Sequence, residues 1–306
     1  MRTSTGRALE VVRAGALTTV QDLGRPGHAH LGVPPSGALD APAHRLANRL
    51  LGNPRTAATL ETTLNGCAVR ARVPAVAVVT GAPCPVTADG RPAPWGVPFR
   101  LAPGAVLDVG AATHGLRSYL GFAGGVAAEP VLGSRATDLL SGLGPPPLRD
   151  GDVLPLGPGP CATSPRATGP GATDAVRPPA AVDAAPWAAP PDELVLPLVP
   201  GPRADWFIPD APRVLAAGGY RVSAASNRVG LRLDGPVLER ARGGELPSEG
   251  VVLGAVQVPS EGRPLVFLAD HPVTGGYPVI GVVPERALAA AAQAPPGTPV
   301  RFTPTT

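Results

Sequence analysis

Short apolar runs bounded by glycine and proline turns recur along this chain, a pattern typical of β-strands. In the first half the candidate strands are Ala8–Arg13, Ala58–Leu64, Val76–Thr80, Val106–Val109 and Arg117–Phe122. In the second half they are Leu194–Val199, Tyr220–Ser223, Gly230–Leu233, Val251–Val258, Leu265–Leu268 and Pro299–Phe302. Apolar strands joined by regular turns indicate barrels or sandwiches. The pattern therefore predicts a mainly β protein.

Helical signals are few. Asp40 can cap a helix that ends at Gly52, and a short alanine-rich helix is predicted from Pro284 to about Ala292. Asp89-Gly90 lies between two extended runs and predicts a hairpin turn, because this dipeptide accepts the left-handed backbone that such turns require.

Two neighbouring segments, Thr18–Gly27 and Leu31–Asp40, show neither the alternation of apolar and polar residues typical of a strand nor the repeat of three to four residues typical of a helix. They hold one Arg, two Asp, a Gln and a Ser among glycines and prolines. We interpret them as ordered loops, which is where proteins commonly hold functional groups.

A change in composition divides the chain. Residues 158–191 are rich in Pro, Ala, Gly and Thr, with Trp187 as the single large side chain. Such a stretch buries too little apolar surface to offset its ordering entropy, so we predict a flexible linker. The predicted domains are residues 1–157 and 192–306.

All 26 basic residues are arginine, and the chain has no lysine. A GC-rich genome explains this composition, but its chemical consequence does not depend on the cause. No P-loop lysine can reach a phosphate, no Schiff base can form, and no biotin can be attached to this chain. Such chemistry must come from a partner.

Charge and cysteine content exclude several further classes. The net charge is +3 with scattered arginines, which does not favour nucleic-acid binding. Three cysteines without CxxC spacing argue against a disulfide framework or a structural zinc site. His28 and His30 lack a third ligand, so no metal site is predicted. With no secretory signal or membrane-length apolar run, we expect a soluble cytoplasmic protein.

A series of short sequence motifs follows one another along both predicted domains. In the first they are Val20–Gly27, Pro35–Asp40, Leu60–Thr63 and Val131–Arg135. In the second they are Asp205–Phe207, Ser226–Gly230, Ser248–Val251, Gly254–Pro259 and Thr274–Pro278. With these motifs the chain resembles the biotin-dependent carboxyltransferase family, whose members are also described as the C subunits of 5-oxoprolinases. It departs from the family pattern at His271-Pro272-Val273 and at Val279, which leaves the substrate open.

The resemblance implies two cyclophilin-like β-barrel domains with a few short helices. It also implies subunit-B-like and subunit-A-like partners, which together form an ATP-dependent 5-oxoprolinase that opens 5-oxoproline to glutamate. ATP with Mg²⁺ is then the cofactor of the complex. Two alternatives stay open: the carboxyltransferase component of a biotin-dependent urea or amide carboxylase, and a non-catalytic regulator that binds a subunit-B-like partner.

Four residues are candidate catalytic groups, because opening a lactam requires donors for an oxyanion and a base for water. Arg25 can bind a carboxylate or phosphate in bidentate fashion, or tie its loop to carbonyl groups. Asp22 can act as a base or form an Asx-turn. Ser36 and Gly37 can offer a hydroxyl and backbone N–H groups to an anion, and Glu249 is a polar group just outside a strand.

A second set of residues is predicted to bind the substrate. Gln257 interrupts an apolar strand and therefore needs a specific hydrogen-bond partner. The pair Gly275-Gly276 allows either the close approach of a ligand or simply a tight turn. The complete set is Gln21, Gly37, Asn227, Arg228, Gln257, Thr274, Gly275, Gly276 and Tyr277.

Overall fold

The computed structural model describes residues 6–159, 190–244 and 246–305. These residues form two compact units. The first contains the described residues of Met1–Leu23, Ala41–Thr137 and Gly144–Ala188, and the second those of Gly24–Asp40, Asp138–Leu143 and Ala189–Thr306. The predicted boundaries at residues 157 and 192 stay a prediction, and most of the predicted linker 158–191 lies outside the described residues.

The first unit is built from two antiparallel sheets around one core. Its strands are β1 (Ala8–Arg13), β2 (Leu17–Gln21), β3 (Thr59–Thr63), β4 (Cys67–Ala71), β5 (Ala75–Gly81), β6 (Val86–Ala88), β7 (Arg91–Pro92), β8 (Phe99–Leu101), β9 (Val106–Val109), β10 (Arg117–Phe122) and β11 (Val153–Pro155). One sheet has the order β11-β1-β4-β9-β6-β7 and the other β2-β3-β10-β5-β8. Leu9, Val69 and Leu107 of the first sheet share a buried cluster with Leu60 and Leu120 of the second.

The second unit contains a closed barrel. Its strands are β12 (Leu194–Pro200), β13 (Tyr220–Val222), β14 (Gly230–Asp234), β16 (Ala255–Gln257), β17 (Leu265–Phe267), β19 (Val279–Val282) and β20 (Pro299–Pro304). Their order around the barrel is β12-β19-β16-β17-β14-β13-β20. Closure removes the exposed strand edges that promote aggregation. A separate ribbon pairs β15 (Glu249–Gly250) with β18 (Thr274–Gly275).

The helices are short: α1 (Ala41–Leu50), α2 (Ala211–Ala217) and α3 (Glu285–Gln293). α1 begins directly after Asp40, as predicted, and packs Ala47 and Leu50 against the β5 residue Val78. The structure confirms the predicted mainly β fold with few short helices. No helix among the described residues has the length and apolarity needed to cross a bilayer.

Two local predictions differ in outcome. The Asp89-Gly90 hairpin is confirmed, since it joins β6 to β7 with φ of 49° and 73° at its two central residues. The loop predicted to begin at Thr18 is wrong over residues 18–21, which belong to β2 (Leu17–Gln21). Residues 18–21 are all buried, so the strand shows no alternation of polar and apolar residues. Thr18 satisfies its hydroxyl by donating to the Ala14 carbonyl at 2.7 Å.

Candidate functional site

Asp22 directly follows β2 in the first unit and is buried. Its carboxylate accepts hydrogen bonds from Ser134 Oγ at 2.6 Å and from the Arg135 N–H at 2.7 Å. The same Ser134 closes a tight turn with Val131. Asp22 therefore holds this turn in place, and its oxygens are oriented acceptors rather than freely solvated ones.

Gln21 lies beside it at the end of β2, fully buried. Its Nε2 donates to Thr19 Oγ1 at 3.0 Å and to the Thr137 carbonyl at 2.9 Å. Among the described residues its Oε1 has no hydrogen-bond partner. Gln21 thus holds the chain near Thr137, and no described residue donates a hydrogen bond to its buried Oε1.

His44 of α1 forms a buried polar cluster in the first unit. Its ring nitrogens lie 2.9 Å from Thr59 Oγ1 and 3.2 Å from the Arg55 carbonyl oxygen, and Asn48 Nδ2 lies 3.3 Å from Nε2. Burial lowers the pKa of His44 to about 4. The imidazole is consequently neutral near pH 7.

The loop between Gly24 and Gly37 is held at its base. The Arg25 N–H donates to the Pro35 carbonyl at 2.7 Å. Gly24 has φ of 80°, and a Cβ placed on it would lie 2.4 Å from the Pro35 carbonyl oxygen and 2.5 Å from that of Ser36. Ser36 itself has φ of 52°, which is uncommon for a residue with a side chain. Local sequence alone does not produce this conformation; surrounding contacts stabilise it.

Arg25 and Asp138 form a buried pair in the second unit. Arg25 Nη1 lies 3.8 Å from Asp138 Oδ2, and both side chains have 0% exposure. Asp138 also accepts hydrogen bonds from the N–H groups of Leu140 and Ser141 and from Ser141 Oγ. The carboxylate therefore fixes the 138–143 loop and offsets the charge of Arg25.

Asp270 is the centre of a second buried network in the same unit. Arg228 donates to it from Nε at 2.9 Å and from Nη2 at 3.0 Å, in a bidentate arrangement. Ser36 Oγ donates to it at 2.7 Å and the Leu139 N–H at 3.1 Å. Arg228 Nη2 also donates to the Gly37 carbonyl at 2.7 Å. One aspartate thus joins three segments that lie far apart in the sequence.

Glu249 lies outside these networks, on the β15–β18 ribbon. It pairs with Arg203, whose Nε donates to Glu249 Oε2 at 3.0 Å and whose Nη2 contacts Oε1. The hydrogen bond from Arg203 lowers the pKa of the Glu249 carboxyl. Glu249 is ionised at neutral pH and is partly exposed, an arrangement suited to charge pairing more than to proton transfer.

Gln257 has the specific partner that its position in an apolar strand required. Its Nε2 donates to the Tyr277 carbonyl at 3.1 Å. A Cβ on Gly275 would lie 2.6 Å from that Nε2, and one on Gly276 would lie 3.2 Å from the Leu246 carbonyl oxygen. The glycines therefore allow close packing within this unit. Tyr277 is 43% exposed.

The last two predicted substrate-binding residues are Asn227, in a turn, and Thr274, on a strand. Asn227 Oδ1 accepts from the Val229 N–H at 2.8 Å and the Gly230 N–H at 3.3 Å, which shapes the turn into β14. Thr274 is exposed on β18. The second unit thus brings Arg25, Ser36, Gly37 and Arg228 into two Asp-centred networks, while Gln21 and Asp22 belong to the first unit.

Sequence reasoning missed Asp138, Asp270 and Ser134 as members of these networks. The sequence did contain a signal for Asp270, because an acidic residue stands there directly after an apolar run and directly before a histidine. Its partners could not be identified, because Ser36 is 234 residues away.

Comparison with known proteins identifies the family. The chain matches the family described as carboxyltransferase domain, subdomain A and B, over residues 31–304. It therefore belongs to this carboxyltransferase-domain family. It is 37% identical to the 5-oxoprolinase C subunit of Escherichia coli, covering 96% of this chain and 90% of that protein.

Longer proteins contain the same region. The chain is 32% identical to the urea amidolyase of Saccharomyces cerevisiae over 97% of its own length, but over 16% of that protein. It superposes on the K. lactis urea amidolyase crystal structure with a TM-score of 0.86 and 32% identity, covering 98% of this chain and 19% of the other. Against the crystal structure of TTHA0988 the TM-score is 0.83 with 38% identity, and the chain spans 57% of that protein.

Proposed function

We propose that this chain is the C subunit of an ATP-dependent 5-oxoprolinase, which opens 5-oxoproline to glutamate together with subunit-A-like and subunit-B-like partners. One observation carries the proposal: similarity to the E. coli C subunit extends over nearly the full length of both chains. In the urea amidolyases, by contrast, the matching region is a small part of a much longer protein.

The reaction divides the chemistry between this chain and its partners. ATP with Mg²⁺, bound by the complex, supplies the phosphoryl group that turns the amide oxygen into a better leaving group. This chain has no lysine for a P-loop, so the proposal assigns the phosphate-binding groups mainly to a partner. The buried networks around Arg25, Ser36 and Arg228, all in the second unit, then serve to hold and polarise the substrate.

The test is reconstitution. The chain is co-expressed with its subunit-A-like and subunit-B-like gene neighbours, and glutamate formation from 5-oxoproline and ATP is measured with and without this chain. We expect activity that requires the chain. A stable assembly of all three proteins that forms no glutamate would contradict the proposal and would favour another amide substrate or a regulatory role.

The second candidate is the carboxyltransferase component of a biotin-dependent urea or amide carboxylase. Its support is the similarity to urea amidolyases over nearly the whole of this chain. Because this chain cannot carry biotin on a lysine, that function requires a separate biotinylated partner. Avidin then abolishes activity under the second candidate and leaves glutamate formation unchanged under the first.

A further inference from the structure

Two consecutive backbone N–H groups in the Pro-Ser-Gly-Ala segment donate no hydrogen bond within the described part of the chain. The Ser36 N–H donates to the Ala269 carbonyl at 3.0 Å, but the N–H groups of Gly37 and Ala38 have no acceptor there. Gly37 is buried and Ala38 is 9% exposed. Backbone N–H groups without an acceptor are rare in buried segments, because such a group loses the hydrogen bond that water would otherwise provide. Such a pair indicates a place for a ligand oxygen.

The surrounding structure fixes this backbone. Ser36 and Gly37 have φ of 52° and 99°, so the peptide groups turn sharply here. Asp270 holds the Ser36 hydroxyl, and Arg228 holds the Gly37 carbonyl. Donors that are fixed before the substrate arrives need no reorganisation, which is what makes an oxyanion-binding pair effective.

The charge of the surrounding side chains indicates which kind of ligand oxygen suits the N–H groups of Gly37 and Ala38. Arg25 and Arg228 are each paired with a buried aspartate, Asp138 and Asp270, so these four side chains have no net charge. A phosphate dianion would have no uncompensated cation among them. A neutral carbonyl oxygen that gains partial negative charge during reaction suits two N–H donors better.

We propose that the N–H groups of Gly37 and Ala38 bind the carbonyl oxygen of the amide substrate. The identity of that substrate as a lactam rests on the proposed function above. The shared chemistry is an amide oxygen, which 5-oxoproline and urea both offer, whereas acetate offers only a carboxylate.

Selective isotope labelling tests the binding directly. Ser-Gly occurs in this sequence at Ser36-Gly37 and Ser141-Gly142. Labelling serine at ¹³C′ and glycine at ¹⁵N therefore gives two amide signals, and the second is an internal control because the Gly142 N–H already donates to the Asp138 carbonyl. The full chain is titrated with 5-oxoproline, urea and acetate, alone and with its co-expressed partners.

We expect 5-oxoproline or urea to move the Gly37 amide proton downfield while Gly142 stays fixed. Because 5-oxoproline also carries a carboxylate, a response to acetate and to 5-oxoproline but not to urea would contradict amide binding and assign the pair to a carboxylate. No response to any of the three compounds, in a complex that forms glutamate, would overturn the inference and leave the proposed function standing. A response without glutamate formation would support the inference and contradict the proposed function.

Turnover provides a second readout. Ala38→Pro removes one N–H, and Ala38→Ser keeps it at the same position. Loss of one oxyanion donor lowers kcat by about 100-fold or more, so we expect this loss for Ala38→Pro with Ala38→Ser near the parent. Equal activities of the two folded variants would overturn the inference; if Ala38→Pro does not fold, the labelling experiment decides.

Discussion

Two buried tyrosines differ in whether their hydroxyl has a partner. Tyr119 Oη donates to Glu61 Oε2 at 2.7 Å, whereas Tyr220 Oη has no partner among the described residues. Burial also raises the pKa of Tyr220 to about 12. The cost of removing a buried hydroxyl depends on the hydrogen bond that is lost.

Tyr220→Phe is therefore expected to leave the free energy of unfolding unchanged or to raise it by up to about 1 kcal/mol. Tyr119→Phe, the matched control, is expected to lower it by about 1–3 kcal/mol, because a buried carboxylate loses a donor. Urea unfolding of both variants measures the difference. Substantial destabilisation by Tyr220→Phe would show that its hydroxyl has a partner such as an ordered water.

His44 makes stability depend on pH. Its folded pKa of about 4 lies below the unfolded value of about 6.5, so between these values the unfolded chain binds a proton that the folded chain does not. The free energy of unfolding consequently decreases as the pH falls through this window, by about 3 kcal/mol for the complete shift. Above pH 7 the contribution is constant.

Urea unfolding at several pH values between 7 and 4.5 measures this slope. His44→Gln should flatten it, and His30→Gln, at an exposed position, serves as the control for loss of a histidine. An identical slope in parent and His44→Gln would assign the acid sensitivity to other groups.

Some residue roles followed from the sequence and others did not. Gln257 was expected to have a specific partner because an amide in an apolar strand must be satisfied, and it bonds the Tyr277 carbonyl. Arg228 was predicted as a substrate-binding residue, but its guanidinium is buried against Asp270. Whether any of the predicted residues touches substrate stays a prediction.

At the scale of elements, the Gly24–Gly37 loop depends on two glycines for different reasons. Both Gly24 and Gly27 have positive φ, of 80° and 94°. A Cβ on Gly24 would collide with backbone oxygens, while one on Gly27 would meet nothing within 4 Å. Only the first glycine is required by close packing.

We therefore expect Gly24→Ala to destabilise the protein by about 3 kcal/mol or more, since backbone must move to relieve the overlap. Gly27→Ala should cost about 1 kcal/mol, the strain of a left-handed residue alone. Thermal and urea denaturation of the two variants tests the contrast. Equal losses would argue against the tight closure of this loop at Pro35.

Several strands that read as apolar runs bounded by turns were predicted to within a residue or two, even where both faces are buried as in β10, whereas β2 was predicted as a loop. Ala8–Arg13 and Val106–Val109 match β1 and β9, because apolar runs bounded by turns define them locally. The predicted strand Val251–Val258 shortens to Ala255–Gln257, since its first residues lead from β15 into a turn. In β2, polar residues are buried by neighbouring segments, and the local sequence pattern does not predict this burial.

At the scale of the whole molecule, the lack of lysine gives a simple prediction. The isolated chain should not hydrolyse ATP in response to 5-oxoproline, because it lacks the lysine that P-loops use to hold phosphates. Phosphate release is measured for the purified chain and for the co-expressed complex. Turnover by the chain alone would contradict the assignment of nucleotide binding to a partner.

The sequence by itself determined the mainly β class, most strand positions and the family, because short apolar runs, turn residues and ordered motifs are local signals. Only the tertiary structure decided that Gly24–Asp40 and Asp138–Leu143 belong with the second unit. It also decided that Asp270 is the common partner of Ser36, Leu139 and Arg228. Contacts between residues so far apart in the sequence form only when the chain folds. A buried carboxylate such as that of Asp270 must be hydrogen-bonded, and the folded chain determines which donors lie near it.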